Sequence, residues 1–539
     1  MRGLNSPTIV KTEVLVIGGG GAGLRAAIEA RNLGAEVLLV SKARAGYDNN
    51  TAISGSLLAA AASWTEPKDT PEAHFKDTLI AGRFLNDQRL VEVMVEGAER
   101  EVRRLQSFGI DFRKKRDSNF RVLHRAGHSY PRHIFGARRA LGIELTKPLR
   151  QQAAKLGVQL KERIQITRLL VRNGVMVGAL GFNEAGGFFI FQAKAVILAT
   201  GGAGKIYLRT DNATGSTGDG YALAYKAGAV LQDMEFVQFY PTATGEFGSR
   251  IWPYESFLPR GGALRNSMGE DILEKGGIRD AISMTRDVLS QVMMTEILEG
   301  RGIENALLAD LSALGRGTLE KIYVAPTAHH FMGGLRINDK CETSVPGLYA
   351  AGEVCGGIHG ANRLAGNALT DIFVFGALAG KNAAQRASQV EVDSAIPDEA
   401  NAEIERLQSL CGSQGQGAIK QLQRQLRETM WHQAGIIRDK NSLEQALREL
   451  HSLRPHTEAI QVNDPRDLTS AIELSNMVLV AEMICQAALM REESRGAHLR
   501  TDYREENNSK WLRHVLIFEK EGKVSLSSAP VDLYRLKPA

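Results

Sequence analysis

Gly18, Gly20 and Gly23 stand in G-x-G-x-x-G spacing, directly after the apolar run Val14-Leu15-Val16-Ile17 and before a helical pattern from 24 to 33. A strand, a tight turn and a helix N-terminus in that order offer free backbone N–H groups to a dinucleotide pyrophosphate. Gly18 permits the turn, Gly20 lets the backbone approach the phosphates, and Gly23 lets the helix pack closely on the strand. Residues 35–40 read as the next strand of a βαβ unit. A second strand, 193–200, runs into Gly201-Gly202-Ala203-Gly204 and would bring another sheet edge against a cofactor. The competing readings are a glycine-rich loop between core elements for the first and a plain strand–turn for the second. The place of the first near the N-terminus, with a strand following, favours a nucleotide site.

The elements that position such a site must come from a chain too long for one core. Its 539 residues suggest three or four domains. With 43% apolar and 24% charged residues the composition is that of a soluble globular protein. A net charge of +5 is small for this length and gives no nucleic-acid footprint. The basic clusters at Arg103-Arg104, 113–116 and Arg138-Arg139 read as solvated helix faces. Cys341, Cys355, Cys411 and Cys485 lie far apart without C-x-x-C spacing. They argue against an iron–sulfur or zinc site held by this chain, and against a disulfide framework, so a reducing cytoplasm is the expected location. The first residues carry no apolar signal-peptide core. The apolar stretches at 57–62 and near 477–490 read as too short to span a bilayer, so membrane contact is expected only through a partner.

Strands and helices alternate to about residue 240, with helical stretches at 89–108 and 144–156. From 245 to 345 the alternation gives way to helices and loops, as in an inserted domain. Strand signals return at 346–353, followed by a Gly/Asn-rich turn and a helix over 368–384. Amphipathic segments between 401 and 490, with a polar patch at 409–416, read as a helical bundle. The tail beyond 500 is polar, then strand-like at 511–518.

Taken in order, seven blocks make the chain resemble the flavoprotein subunits of fumarate reductase and succinate dehydrogenase, with L-aspartate oxidase as a relative. They are Ala199-Thr200-Gly201-Gly202, 214–220, 234–242, 326–334, 347–353, 359–369 and 493–498. The resemblance implies an α/β fold: a Rossmann-like FAD-binding domain (1–244 and 346–395) interrupted by an α+β capping domain (245–345). A C-terminal helical domain (396–500) and a tail (501–539) would follow. FAD would place its pyrophosphate on Gly18, Gly20, Gly21, Ala22 and Gly23. Further contacts are implied for Ser41, Lys42, Thr51, Ala199, Thr200, Gly201 and Asp219, and Glu353 would meet the ribityl region. The helix starting at Asn367, Ala368 and Leu369 would aim its N–H groups at the flavin N1/O2 edge.

The family reaction moves a hydride between flavin N5 and the C=C of a dicarboxylate, with a proton delivered to the neighbouring carbon. Arg363 matches the carboxylate-binding arginine, and His329 matches the histidine at the other end of the substrate. The proton donor falls to Arg260, although aligning the glycines of Pro259-Arg260-Gly261-Gly262 puts Arg260 where the family has glutamate. Asn49-Asn50-Thr51 stands where covalent-flavin members have His-Thr, which implies non-covalent FAD. Tyr240 replaces the histidine of the Gln-Phe-His-Pro-Thr block, which opens the substrate to a related unsaturated acid or one with a single carboxylate. The leading expectation is an oxidoreductase fed by an iron–sulfur subunit. The alternatives are L-aspartate oxidase and a non-catalytic electron-transfer subunit.

Overall fold

The computed structural model describes residues 6–538 apart from 117–118, 140, 279–283, 315–321, 394 and 413–415. The middle of the polar patch at 409–416 therefore lies outside the described residues.

The strand Thr8–Ile17 is β-branched and apolar, and its second half is buried on both faces because a parallel partner lies on each side. These partners are Val37–Ser41 and Phe188–Leu198. With Gln159–Glu162 beyond the first and Leu348–Ala350 beside the second, the parallel strands form most of a seven-stranded sheet. The antiparallel strands Val175–Asn183 and Ile164–Arg172 complete it. The helix Gly21–Asn32 covers this sheet and packs closely on the helix Asn367–Ala387. Cβ atoms at Gly376 and Gly380 would lie 2.8 and 2.2 Å from the carbonyl oxygens of Ala22 and Ala26. Only glycine permits that approach.

The segment expected to be helices and loops contains a five-stranded antiparallel sheet instead. Its strands are Arg250–Ile251, Val237–Thr244, Ile322–Phe331, Leu307–Asp310 and Ala263–Arg265. Three of them are too short for alternation to register. The strand Val237–Thr244 precedes the expected start of the insertion, yet it pairs in this sheet. A separate apolar core, including Tyr240, Tyr254, Phe257, Leu289 and Met293, lies beneath it.

The bundle comprises Asp398–Ser409, Gln416–Gln433, Lys440–Glu458 and Pro465–Met490. The last is longer than expected: its 26 residues and mean hydropathy of 1.4 suffice to cross a bilayer, but 78% of that apolar window is buried inside the fold. It is a core helix. The expected tail is a hairpin, Arg513–Lys520 with Lys523–Pro530, which joins Leu231–Gln232 in a four-stranded sheet. Buried Arg491 bonds Glu235, Glu493 and the carbonyls of Trp511 and Arg513, and so ties that hairpin to the body of the molecule. Of the basic clusters, Arg103 and Arg104 do lie on an exposed helix face. Arg113, Arg138 and Arg139 lie on extended or bent chain, and Arg113 bonds the carbonyls of Ala137 and Arg138.

Three buried histidines brace the loop that leads into the Asn367–Ala387 helix. His128 and His133 both bond the Ala365 carbonyl, at 2.9 and 3.0 Å, and His74 bonds Asn367 Oδ1 at 2.8 Å. Burial, reinforced by Arg132, pushes His74 and His133 down to about 3, and His128 well below its ordinary value. Unfolded imidazoles protonate near pH 6.5. Between 6.5 and 3 the unfolded chain binds more protons, so stability is lost as pH falls through that window. The pair His74 and His133 should cost about 4 kcal/mol between pH 7.5 and 5, measured as a fall in the urea midpoint. A His133→Gln variant should flatten that profile.

Candidate active site

Gly18 adopts φ +121°, and a Cβ at Gly23 would lie 1.9 Å from the Gly18 carbonyl oxygen. Both glycines are therefore obligatory in this turn. Gly20 caps the following helix with no side-chain hydrogen bond and no acidic residue in the first turn, leaving N–H groups for an anion. Beside this turn runs a cleft with about 1040 Å³ of atom-free space, open to solvent. Gly18, Gly20, Gly21, Ala22, Ser41, Lys42, Thr51, Ala199, Thr200, Gly201, Asp219 and Glu353 all line it. Thr51 Oγ1 accepts from the Gly21 N–H at 3.2 Å. Asn49 Nδ2, Gln165 Oε1 and Thr200 Oγ1 are buried in the same wall without partners. Such orphaned groups await a polar ligand, and together with the bare glycine turn they fit a dinucleotide.

Some expected contacts are engaged elsewhere. Lys42 Nζ bonds Asp219 at 2.7 Å, Glu473 at 2.6 Å and Thr217 at 2.9 Å, clasping the cleft wall to the Pro465–Met490 helix. Asn367, Ala368 and Leu369 form the first turn of their helix but do not line the cleft, which Ile372 one turn later does. The Asn367 side chain is held by His74 and Thr78.

Glu353 closes one end of the cleft. It accepts from the Phe331 N–H and from Asn50 Nδ2, and burial raises its carboxyl to about 7. Past it, two strands of the second sheet present the polar residues. The register pairs Gln238 with His330 and Tyr240 with Thr327, with a bulge after Gln238. That irregularity puts the His329 ring 5.4 Å from the Tyr240 ring. His329 Nδ1 bonds Asp211 Oδ2 at 2.7 Å. Burial lowers the imidazole's proton affinity, Asp211 opposes this, and the positive charges of Arg286 and Arg363 reinforce it.

Arg363 comes from the loop after Glu353 and is 5% exposed. Its Nη2 donates to Gln238 Oε1 at 2.9 Å, and its Nε has no partner. Gln238 Nε2 in turn donates to the Arg363 carbonyl and to Asn362 Oδ1. A second guanidinium, Arg286, reaches the same Gln238 Oε1 at 3.3 Å and stacks 4.8 Å from the Tyr240 ring centroid. Tyr254, Glu255, Arg286, Asn362 and Arg363 line a small cavity here, and the Tyr240 hydroxyl donates to Glu255 Oε2 at 2.7 Å. Burial and the Arg286 charge push the Arg363 guanidinium down to about 9.

The structure thus brings Tyr240, His329 and Arg363 together and leaves Arg260 out. Arg260 ends a short turn, is exposed, and does not line the cavity. Arg286, not Arg260, lines the cavity beside Arg363. It was missed because it belongs to the start of the helix Arg286–Glu296, well beyond the motif. Asp287 in the first turn of that helix suits its dipole and marks only where the helix begins. Asp287 accepts from Asn362 Nδ2 at 2.9 Å. Glu255, Gln238, Asp211 and Tyr254 were likewise not singled out.

Comparison with known proteins accords with this geometry. A model described as FAD binding domain matches residues 13–320 and 312–369, and one described as fumarate reductase flavoprotein C-term matches 423–539. An uncharacterized FAD-dependent oxidoreductase of Methanocaldococcus jannaschii is 37% identical, covering 95% of this chain and 97% of its own. A subunit of the fumarate reductase (CoM/CoB) of Methanothermobacter marburgensis is 36% identical over 95% and 98%. A mutant of the E. coli quinol fumarate reductase flavoprotein superposes with a TM-score of 0.91 at 30% identity, covering 99% of this chain and 98% of that one. FAD is the cofactor. By these matches the chain belongs to the FAD-dependent oxidoreductase family of fumarate reductase and succinate dehydrogenase flavoprotein subunits, and it is an enzyme of that type.

Proposed function

We propose that this chain reduces the C=C bond of an unsaturated carboxylic acid, fumarate or a close analogue. The observation that carries this reading is a pair of guanidiniums, Arg286 and Arg363, converging on one neutral oxygen. Arg363 is buried and Arg286 half-buried, and neither has a carboxylate partner among the described residues; such cations call for an anion, and a planar fork suits a substrate carboxylate. FAD held in the adjoining cleft supplies two-electron, hydride-level redox chemistry.

The chain's own groups do the rest. Arg363 grips and orients the acid with the N–H groups left after its bonds to Gln238 and the Leu364 carbonyl, the Nε–H among them. Gln238 fixes both guanidiniums, so their placement costs no rearrangement when substrate arrives. Reduction of an alkene also needs a proton at the second carbon. Arg286 is positioned to release one from its guanidinium and to regain it by way of Glu255 on the same cavity wall. The neutral phenol of Tyr240 separates these two groups.

In our reading the FAD is held without a covalent bond. Among the residues lining the cleft none is His, Cys or Tyr. Electrons arrive from an iron–sulfur partner protein. This is supported by the quinol-linked fumarate reductases among similar structures and by four cysteines too scattered to bind a cluster. The chain works in the cytoplasm, meeting the inner face of the membrane only through such partners. No nucleic-acid partner is invoked.

Arg363→Ala should lower fumarate-dependent oxidation of reduced viologen by at least about 10³-fold, while the 450 nm flavin absorbance per protein is unchanged. Retained turnover would remove Arg363 from its role. Arg286→Gln should reduce kcat by about 10²–10⁴-fold, whereas Arg260→Gln should stay within about twofold; the reverse order would restore Arg260 as the donor. Acid precipitation should leave all flavin in the supernatant, and yellow colour in the pellet would refute non-covalent binding.

A further inference from the structure

The basic cluster at 113–116, with Arg121 and the Arg138-Arg139 pair, takes no part in the site described above. The chain around it folds as a small ribbon: Phe112 bridges to Gly136 and Lys114 to Phe120, both antiparallel. Phe112 and Phe120 are buried and pack edge to face at 5.8 Å, with Trp64 against Phe120 at 4.9 Å. Around that apolar core Lys114, Lys115, Arg116, Arg121, Arg138 and Arg139 are all exposed. None of them pairs with a carboxylate among the described residues. The stretch 113–139 contains one acidic residue, Asp117, which lies outside those residues. The Glu144 carboxylate accepts from the backbone N–H groups of Arg138 and Arg139, at 3.0 and 2.5 Å, and leaves both guanidiniums to solvent. Like charges crowded on one surface repel one another, and an anionic partner relieves that repulsion.

This surface backs onto the cofactor cleft. Gly136 N–H donates to Ser56 Oγ at 3.1 Å, and Gly142 N–H to the Ser54 carbonyl at 2.8 Å. A Cβ at Gly142 would lie 1.6 Å from the Thr51 carbonyl oxygen, so the chain here rests directly on Thr51. A single helical turn, Asn50–Ile53, separates cleft from solvent: Asn50 and Thr51 line the cleft, while Ile53 is 53% exposed. Leu141, next to Gly142, is 42% exposed. Electron transfer falls off steeply with distance, so a carrier must dock where little protein separates it from the flavin. We infer that this face receives a small, acidic iron–sulfur carrier that docks briefly and leaves, rather than a subunit that stays. The inference rests on the reading that electrons come from an iron–sulfur protein, and names the docking surface and the carrier's charge. A lasting interface has an apolar, charge-poor core, whereas brief electron-transfer encounters use small surfaces and complementary charge to speed association. FAD takes two electrons, so two reduced carriers dock in turn; each cluster loses one electron, and the flavin takes up its proton from water.

The test follows bleaching of the 450 nm flavin band of the FAD-loaded protein, without oxygen, by plant-type two-iron ferredoxin kept reduced with NADPH and its reductase. The second-order rate constant should fall at least about tenfold between about 50 and about 500 mM salt. Lys114→Glu with Lys115→Glu, and separately Arg138→Glu with Arg139→Glu, should each lower it at least about tenfold at low salt. The same change of charge on the bundle, Lys420→Glu with Arg424→Glu, should leave it within about twofold. Reduced viologen, which needs no docking surface, should bleach every variant at least as fast as the unaltered protein. A rate that salt does not alter, or an equal loss in the bundle variant, overturns the docking surface. Ferredoxin that leaves the flavin oxidised while viologen bleaches it overturns the acidic carrier. Binding of phosphatidylglycerol vesicles through these same residues, with no response to ferredoxin, assigns the face to a membrane and also overturns the inference. The reading of the site as one for an unsaturated acid is checked separately, by reoxidation of the viologen-reduced flavin with fumarate.

Discussion

Two positive side chains converging on one neutral oxygen set the terms for the rest of this structure. Gln238 Oε1 accepts from both Arg286 and Arg363, and a single amide dipole does not offset one buried and one half-buried charge. A fold keeps such an arrangement only where something else repays the cost, and an incoming carboxylate does so. The site is therefore incomplete by itself in an electrostatic sense, and its chemistry follows from what completes it.

Much of the fold serves to hold these groups in place. Gln238, Tyr240 and His329 come from two antiparallel strands of the inserted sheet, and Arg286 from the helix packed against them, where Ser290 bonds the Phe239 carbonyl. Arg363 comes instead from the loop that leaves the parallel sheet. The bracing of that loop by His128 and His133 at Ala365 fixes the arginine from below. The substrate groups are thus assembled across two sheets, while the cofactor cleft belongs to one. Lys42, Asp219 and Glu473 lock the helical bundle against the cleft wall, and the Arg491 network holds the C-terminal hairpin to the segment just before the inserted sheet.

Position 240 shows how one residue reshapes the chemistry of a shared scaffold. A phenol that gives its proton to Glu255 brings no charge to the neighbourhood of Arg286 and His329. Asp211 fixes His329 beside it, and Arg286 stacks on the phenol ring. The overall match to the E. coli fumarate reductase flavoprotein extends over nearly the whole chain.

The glycine turn was legible from sequence because its constraint is local: φ at Gly18 and the missing Cβ at Gly23 concern atoms a few residues apart. The ordered blocks carried the family, and with it Arg363 and His329 as candidate substrate residues. The short strands of the inserted sheet were not legible, since two to four residues hold no periodicity and their pairing is settled by distant partners. The same holds for Arg286 against Arg260. Both follow the Tyr240 block in sequence, and only the packing of the Arg286–Glu296 helix on the strand Val237–Thr244 brings one of them to Gln238. Which nitrogen of His329 bears the proton, and where the Tyr240 hydroxyl points, depends on Asp211 and Glu255. Residue types and local backbone limits are written along the chain; the direction of a buried hydrogen bond is decided by which groups tertiary packing sets opposite one another.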